Sequence, residues 1–197
     1  MGMKSFLSSV GKVIYRITGW TYEELPDYWV DKEVVIGFPH TSNMDTVRAF
    51  TYIKVIKVDT KVLIKSDWFF YPMSLLLNTL GGIPVVRDKA SGFVGNVIKE
   101  FEKRNEFSIA IVPEGTRKKT SKIKTGFWNI AKGANVPILC WYLDNKKRET
   151  KWVGYIKPSD DLVGDLLKIR DIYLKHGYLI PLGDINQYRE KIAANAR

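Results

Sequence analysis

The sequence predicts an α/β fold, a single layered domain with a mixed, largely parallel sheet flanked by helices. Short apolar runs with the length of strands alternate along the chain with stretches of helical spacing. Alternation of this kind is typical of sheets whose strands are joined by helices. No Ser/Pro-rich linker, repeat or charge block divides the 197 residues, so 1–197 is expected to form one domain.

The elements follow from apolar runs and their spacing. Strands are expected at 34–38, 62–65, 83–86, 108–112, 136–143 and 152–156. Helices are expected near 5–18, 43–57, 68–80, 92–104, 125–133 and 160–175. In such sheets the chemistry usually lies where strands end and loops lead into helices.

The N-terminal stretch 5–18 has one apolar face and one face of basic and hydroxyl residues. Its apolar positions are Phe6, Leu7, Val10, Val13, Ile14 and Ile17. Gly19 provides a stop signal. Such a helix could cap a core, or it could lie in a membrane interface with its cations toward anionic headgroups. Both interpretations remain open from the sequence.

A second apolar segment, 68–86, has no charged residue and is long enough to suggest a transmembrane span. Pro72, the pair Gly81-Gly82 and Pro84 interrupt it, and the backbone that such residues free cannot be satisfied against lipid. We therefore expect a helix, a glycine turn and a strand here. No signal-peptide cleavage site follows the N-terminal stretch, so the expected location is the cytoplasm.

Composition excludes several classes. A single cysteine, Cys140, forbids an internal disulfide, and with only two histidines a Cys-rich zinc site is excluded. The net charge of +10 favours a polyanionic partner, such as nucleic acid, anionic lipid, a phosphorylated substrate or an acidic carrier protein. Residues 61–133 hold 13 basic and 6 acidic side chains and so carry most of that excess.

The loop after the first strand is the most informative. It contains His40 and Asp45, which can meet only if His40 precedes the following helix and Asp45 lies in its first turn. One interpretation is a histidine base held by a carboxylate, able to take a proton from a hydroxyl near neutral pH. The other is that Ser42 and Asp45 merely cap the helix. The segment alone does not decide between them.

A second loop, 113–117, follows another apolar strand and leads into a run of cations without an acid. Arg117 directly follows a Gly-containing strand end, where it is well placed to bind phosphate in a bidentate manner. Arg87 ends the strand after Gly81-Gly82 in a similar way. No G-x-S-x-G elbow is present, and Cys140 lies in an apolar run, so a substrate hydroxyl is the expected nucleophile.

Taken in order, these segments resemble the glycerolipid acyltransferase family, the 1-acylglycerol-3-phosphate acyltransferases and their relatives. Residues 40–45 match the H-x-S-x-x-D block of that family, and 81–87 are similar to its second block. Residues 113–117, P-E-G-T-R, reproduce the third block, and 136–138 resemble the fourth. The likeness spans roughly residues 33–143.

The resemblance implies a role for each matching residue. His40 would be the general base on the acceptor hydroxyl, which attacks the thioester of acyl-CoA or an acyl carrier protein directly, and Asp45 would orient the imidazole. The residues implied for the phosphate of the acceptor are Arg87, Glu114, Gly115, Thr116 and Arg117. Those implied for the acyl site are Val136, Pro137 and Ile138. The resemblance also implies that no metal and no cofactor are needed beside the acyl donor.

We therefore predict an acyltransferase that is peripheral to the inner face of the cell membrane and esterifies a lysophospholipid such as 1-acylglycerol 3-phosphate. Its expected partners are the acyl donor, this acceptor and an anionic membrane surface, and no nucleic acid. An acyltransferase for glycerol 3-phosphate or a lyso-ornithine lipid is the nearest alternative. A non-catalytic basic module that binds nucleic acid is a more distant one.

Overall fold

The computed structural model describes residues 3–85, 90–116 and 120–188. Its helices are α1 (Met3–Ile17), α2 (Asn43–Val55), α3 (Met73–Leu80), α4 (Ala90–Lys103), α5 (Gly126–Gly133) and α6 (Leu162–Leu174). Its strands are β1 (Thr21–Tyr22), β2 (Lys32–Phe38), β3 (Thr60–Lys65), β4 (Gly82–Val85), β5 (Phe107–Ile111), β6 (Ile138–Asp144) and β7 (Glu149–Ile156). A 3-10 turn, Ser66–Trp68, precedes α3.

The seven strands form one sheet in the order β1-β7-β6-β2-β5-β3-β4. Among the described strand pairs only β6 and β7 run antiparallel, which confirms the predicted mixed, largely parallel sheet. Strand β2 lies between parallel neighbours, with Ile36 opposite Ile111 of β5 and Phe38 opposite Tyr142 of β6. The carboxyl ends of these three strands therefore meet at one edge, and the loops that follow them converge there.

Both faces of the sheet are covered. Helices α4, α5 and α6 pack over one face, where Val34 and Ile36 of β2 are completely buried. Helices α1, α2 and α3 cover the other face, against Val35 of β2 and Val62 of β3. Because each face of β2 is buried, its sequence is a nearly continuous apolar run rather than an alternating one.

The predicted elements are confirmed with changed bounds. All the strand candidates are present, and the two-residue strand β1 was too short to be expected. The predicted start of a helix at 68 is wrong, because α3 begins only at Met73, after Pro72 at its N-cap. The chain ahead of Pro72 forms the 3-10 turn and an irregular stretch instead. The proline ring disfavours helical backbone at the residue before it, because the two clash. Within the described ranges, no helix combines the length and apolar character needed to cross a bilayer.

Helix α1 packs on α2 through its small and polar face. Ser8 donates a hydrogen bond from Oγ to the Val55 carbonyl (2.9 Å), and Tyr15 donates from its hydroxyl to the Arg48 carbonyl (3.3 Å). A Cβ at Gly11 would come within 2.7 Å of the Val55 side chain, so glycine permits the close approach. The apolar face points to solvent, and Ile17 is 76% exposed. The interpretation in which this apolar face packs on the core is therefore wrong.

An ionisable side chain of β2 is buried inside the sheet layer. Glu33 of β2 is fully buried, and neither carboxylate oxygen makes a well-formed hydrogen bond within the described part of the chain. Its burial raises the pKa of the Glu33 carboxyl to about 8, and the Ser108 hydroxyl beside it offsets this only in part. Glu33 is therefore expected to be protonated in the folded protein near neutral pH.

We predict that Glu33→Gln removes a pH dependence of stability. The pKa of Glu33 is raised on folding, so its favourable contribution is complete below the unfolded pKa of about 4.3 and is lost as the pH rises toward 8. Between pH 5 and 8 the free energy of unfolding of the wild type should fall, relative to Glu33→Gln, by up to about 1.4 kcal/mol per pH unit. Urea unfolding at four pH values measures this.

The matched control is Glu102→Gln, because Glu102 is exposed on α4. The free energy of unfolding of Glu102→Gln should change with pH in the same way as that of the wild type. Equal pH slopes for Glu33→Gln and the wild type would contradict the assignment of a neutral Glu33.

Candidate active site

His40 lies at the carboxyl edge of the sheet. Strand β2 ends at Phe38, a cis peptide joins Phe38 to Pro39, and α2 begins at Asn43 with Ser42 as its N-cap. The short connection keeps His40 beside the end of the central strand, and its side chain is 17% exposed. The imidazole is thus largely buried, yet it remains reachable from solvent.

Asp45 organises this connection. Its Oδ2 accepts hydrogen bonds from the backbone N–H groups of Thr41 (2.6 Å) and Ser42 (2.7 Å). Its Oδ1 lies 3.1 Å from the Ser42 hydroxyl. The carboxylate thus reaches back over the first turn of α2, as the capping interpretation predicts. It satisfies N–H groups that the helix itself cannot.

The same carboxylate approaches the imidazole. Nδ1 of His40 is 3.9 Å from Oδ2 of Asp45, which is within ion-pair distance and longer than a hydrogen bond. The capping interpretation of this loop is therefore confirmed, and a carboxylate lies beside the histidine as the other interpretation requires, while the role of His40 as a base stays a prediction. Asp45 folds the backbone of the loop with its short contacts and sets a negative charge beside His40 with its long one.

Asp45 is ionised at neutral pH. Burial by itself would raise the pKa of its carboxyl, but the hydrogen bonds from Ser42, Thr41 and Asn145 outweigh burial and hold that pKa below its ordinary value. Asn145, in the turn between β6 and β7, places Nδ2 3.3 Å from Oδ1 of Asp45 and 3.4 Å from the Thr41 hydroxyl. Arg48 adds a guanidinium 3.4 Å from Oδ1.

Glu114 joins the loop after β5 to the loop after β2. Its Oε2 accepts a hydrogen bond of 2.7 Å from the backbone N–H of His40, a residue 74 positions away. Its Oε1 accepts a hydrogen bond of 3.0 Å from the hydroxyl of Tyr178. Burial raises the pKa of the Glu114 carboxyl, whereas these two hydrogen bonds lower it in part. Two of the sequence-predicted site residues are therefore brought into direct contact.

Gly115 and Thr116 of the third block belong to a tight loop next to Glu114. Gly115 has a left-handed backbone (φ +58°), and a Cβ there would lie 3.1 Å from Cε of Lys124. The Lys124 N–H donates to the Pro113 carbonyl at 2.8 Å, which closes the loop between them. Thr116 is half-buried in this loop. The cation of Lys124 is thus packed over the glycine turn.

The two arginines of the predicted phosphate site, Arg87 and Arg117, lie outside the described residues. Their roles stay predictions. The predicted acyl-site residues 136–138 lie elsewhere from His40: Val136 and Ile138 are buried beneath α4, α5 and α6, and Ile138 pairs with Val34 near the start of β2. The structure does not bring them to His40, and their part in an acyl site stays a prediction.

A cysteine nucleophile is excluded on structural grounds. Cys140 in β6 is completely buried, and burial raises the pKa of its thiol far above the usual range, so a thiolate is not accessible. Within residues 3–85, 90–116 and 120–188, no group of three or more His, Cys, Asp or Glu residues is arranged to hold a metal ion.

Two residues of the site were not expected from the sequence. Asn145 directly follows β6, and a polar residue at the carboxyl end of a central strand is a signal that could have pointed to it. Tyr178 follows α6 and belongs to no strand or motif, so the sequence contains no comparable signal for it.

Comparisons with known proteins fit this arrangement. Residues 16–143 match the model of the protein family described as Acyltransferase. No curated protein matches the chain by sequence. The fold is similar to the crystal structure of PlsC, the 1-acyl-sn-glycerophosphate (LPA) acyltransferase from Thermotoga maritima, with a TM-score of 0.61 and 16% identity. The superposition covers 90% of this chain and 81% of that one, so the two proteins share their fold.

We predict that Asp45→Asn loosens the His40 loop. The backbone N–H groups of Thr41 and Ser42 both donate to Oδ2, so an amide oxygen in its place can still accept them, but without the charge that strengthens the two bonds. The N–H₂ group in the place of Oδ1 then faces the donor groups of Asn145 and Arg48, which further disfavours this position of the side chain. Amide hydrogen exchange at Thr41 and Ser42 should accelerate about tenfold, which corresponds to a loss of about 1.4 kcal/mol when two hydrogen bonds to a charged acceptor become bonds to a neutral one. Exchange measured by NMR tests this.

Asp27→Asn provides the control, because Asp27 is exposed and remote from α2 in the chain. Its exchange pattern should equal that of the wild type. Unchanged protection at Thr41 and Ser42 in Asp45→Asn would show that the carboxylate does not hold the loop.

Proposed function

The chain belongs to the acyltransferase family, and from that premise we propose that it transfers a fatty acyl group from acyl-CoA or acyl carrier protein to the hydroxyl of a lysophospholipid such as 1-acylglycerol 3-phosphate. The observation that carries this proposal is the assembly around His40. Its backbone is bound to Glu114 and its imidazole lies beside the buried carboxylate of Asp45. A histidine held in this way is suited to general-base catalysis.

In the proposed reaction His40 moves one proton. With Nδ1 turned toward Asp45, Nε2 takes the proton of the acceptor hydroxyl while the hydroxyl oxygen attacks the thioester carbonyl carbon. The tetrahedral intermediate then collapses, the C–S bond breaks, and the departing thiolate takes the proton from the imidazolium. An ester and a free thiol result, and His40 is neutral again. Asp45 stabilises the imidazolium that forms between the two steps.

The side chains near His40 favour this direct transfer over an acyl-enzyme. The thiol of Cys140 is buried. The hydroxyl of Ser42 is bound to the Asp45 carboxylate rather than to the imidazole. The acceptor hydroxyl is therefore the best candidate for the nucleophile, and donor and acceptor must be bound together for the reaction.

We propose that the phosphate of the acceptor lies over the loop 114–117, as the resemblance of these residues to the family implies. The support within the described residues is the glycine turn at Gly115 with the cation of Lys124 packed over it. Arg87 and Arg117 complete the site in this proposal. Guanidinium groups bind phosphate with two parallel hydrogen bonds, which fixes its orientation.

We also propose that the protein binds the cytoplasmic membrane surface through the apolar side of α1 and its neighbours. Helices α1, α2 and α3 cover the same face of the sheet. The exposed apolar side chains on these helices and directly ahead of α3 are Phe6, Val10, Val13, Ile14, Ile17, Met44, Val47, Phe70, Tyr71, Leu75 and Leu76. Helices α1 and α2 run antiparallel, because Ser8 contacts Val55 and Tyr15 contacts Arg48. The end of α1 that carries Ile17 thus lies near the start of α2, the helix that follows His40. An amphiphilic acceptor could reach the site from that surface.

The acceptor is tested by measuring CoA release from acyl-CoA. We expect release to depend on an added acceptor and to be fastest with 1-acylglycerol 3-phosphate. Glycerol 3-phosphate and a lyso-ornithine lipid are the comparison acceptors. Faster release with either of them would assign that acceptor instead, and equal release without any acceptor would contradict acyl transfer.

We predict that His40→Ala lowers the rate of transfer by roughly 10² to 10⁴, the usual contribution of a general base, while the protein remains folded. The only other histidine, His176, provides a matched control. It is exposed after α6, so His176→Ala should transfer at the wild-type rate. Steady-state kinetics with circular dichroism as a folding check measure both variants. An unimpaired His40→Ala would remove His40 from the mechanism.

We predict that Val13→Asp and Ile17→Asp each weaken binding to anionic vesicles by on the order of tenfold, since each replaces an apolar side chain that would be buried in lipid by a charge. Vesicle co-sedimentation measures this. Leu174→Asp is the control, because Leu174 is similarly exposed but belongs to α6, on the other face of the sheet. Loss of binding in Leu174→Asp alone would place the membrane contact on that other face.

A further inference from the structure

The stretch that follows α6 returns to the site although it lies beyond the residues that match the family model. Gly177 adopts a left-handed backbone (φ +81°), which lets the chain reverse after the helix. The N–H of Tyr178 then donates to the Tyr173 carbonyl at 3.1 Å and fixes the position of the next side chain. The sequence thus directs Tyr178 back over the carboxyl edge of the sheet.

The ring of Tyr178 is held by three other aromatic rings. Its centroid lies 6.0 Å from that of Phe38, 5.9 Å from that of Tyr142 and 6.4 Å from that of Tyr173. Tyr173 is itself fixed, because its hydroxyl donates to the carbonyls of Ile36 and Trp141 in adjacent strands. Packing therefore determines where the Tyr178 hydroxyl points.

That hydroxyl donates to Oε1 of Glu114 at 3.0 Å, while Oε2 of the same carboxylate accepts the N–H of His40 at 2.7 Å. One carboxylate thus connects a side chain after α6 to the backbone of His40. Only the ionised form accepts both bonds at full strength, since a protonated carboxyl would present its own O–H to one of the two donors. The Tyr178 hydroxyl favours the ionised form by lowering the pKa of Glu114, which burial raises.

We propose that Tyr178 is a positioning residue for acyl transfer, acting through Glu114 to hold the backbone of His40 in place. The proposal rests on the proposed role of His40. In this proposal Tyr178 acts on the backbone of His40 and not on its imidazole. Its effect is to fix the orientation of the Glu114 carboxylate, and through it the position from which His40 approaches the acceptor hydroxyl. A displaced base lowers the rate of the chemical step without weakening substrate binding.

Tyr178→Phe tests this, because it removes only the hydroxyl and keeps the ring in its aromatic cluster. We expect kcat to fall by about ten- to a hundredfold, in line with the loss of a hydrogen bond to a charged group, and KM for donor and acceptor to stay within about twofold. The acid side of the kcat–pH profile should also move to higher pH, since Glu114 then protonates more readily.

The matched control is Tyr142→Phe, which removes a hydroxyl from the adjacent ring of the same cluster. Within the described part of the chain this hydroxyl makes no hydrogen bond, so the variant should keep the wild-type kcat and pH profile. If both variants lose the same activity, the effect belongs to the packing of the cluster and the positioning role is wrong.

A double-mutant cycle with Glu114→Gln gives the decisive comparison. If Tyr178 acts through Glu114, the double variant should be no slower than Glu114→Gln alone, whereas multiplying losses would overturn the proposal. Faster amide exchange at His40 in Tyr178→Phe, but not in Tyr142→Phe, is the expected signature in the free protein. An active wild type with an unaffected Tyr178→Phe overturns only this assignment, whereas a wild type inactive on every acceptor overturns the proposed function.

Discussion

The hydrogen bond between the Glu114 carboxylate and the N–H of His40 is the contact on which the geometry of the candidate site depends. It joins the loops that follow two adjacent parallel strands. Because the pairing of β2 with β5 brings both strand ends to one edge, the bond needs little further ordering of the chain. The parallel sheet sets the two loops side by side, and the buried carboxylate fixes their relative position.

A second carboxylate, that of Asp45, also positions the loop that contains His40. Asp45 accepts the N–H groups of Thr41 and Ser42 and so determines the path of the backbone directly after His40, while Glu114 fixes the N–H of His40 itself. The two negative charges differ in their surroundings: hydrogen bonds lower the pKa of Asp45, whereas burial raises that of Glu114. The more strongly bound charge is the one beside the imidazole. This arrangement supports a positive charge on His40 when the reaction requires it.

Most of the fold and about half of the site follow from local signals in the sequence. Strand runs, the N-cap at Ser42 and the glycine turns specify elements through short-range chemistry, which is why the bounds are confirmed within a few residues except at the start of α3. The pairing of His40 with Glu114, and the parts of Asn145 and Tyr178, depend on tertiary contacts between distant positions. The position of 136–138 shows the same limit, since membership in a motif does not fix which end of a strand a residue occupies.

The N-terminal helix shows how the same reasoning can reach the right element and leave its orientation open. Spacing predicts an amphipathic helix at 5–18, but it does not predict which face packs on the protein. Here the close approach at Gly11 and the hydrogen bonds of Ser8 and Tyr15 favour the small polar face, because α2 offers backbone carbonyls and a groove too narrow for larger side chains. Burying the apolar face against α2 would leave those carbonyls without these donors. The apolar stripe therefore remains outside along the length of α1, and only its Ile17 end lies near the start of α2, the helix that follows His40.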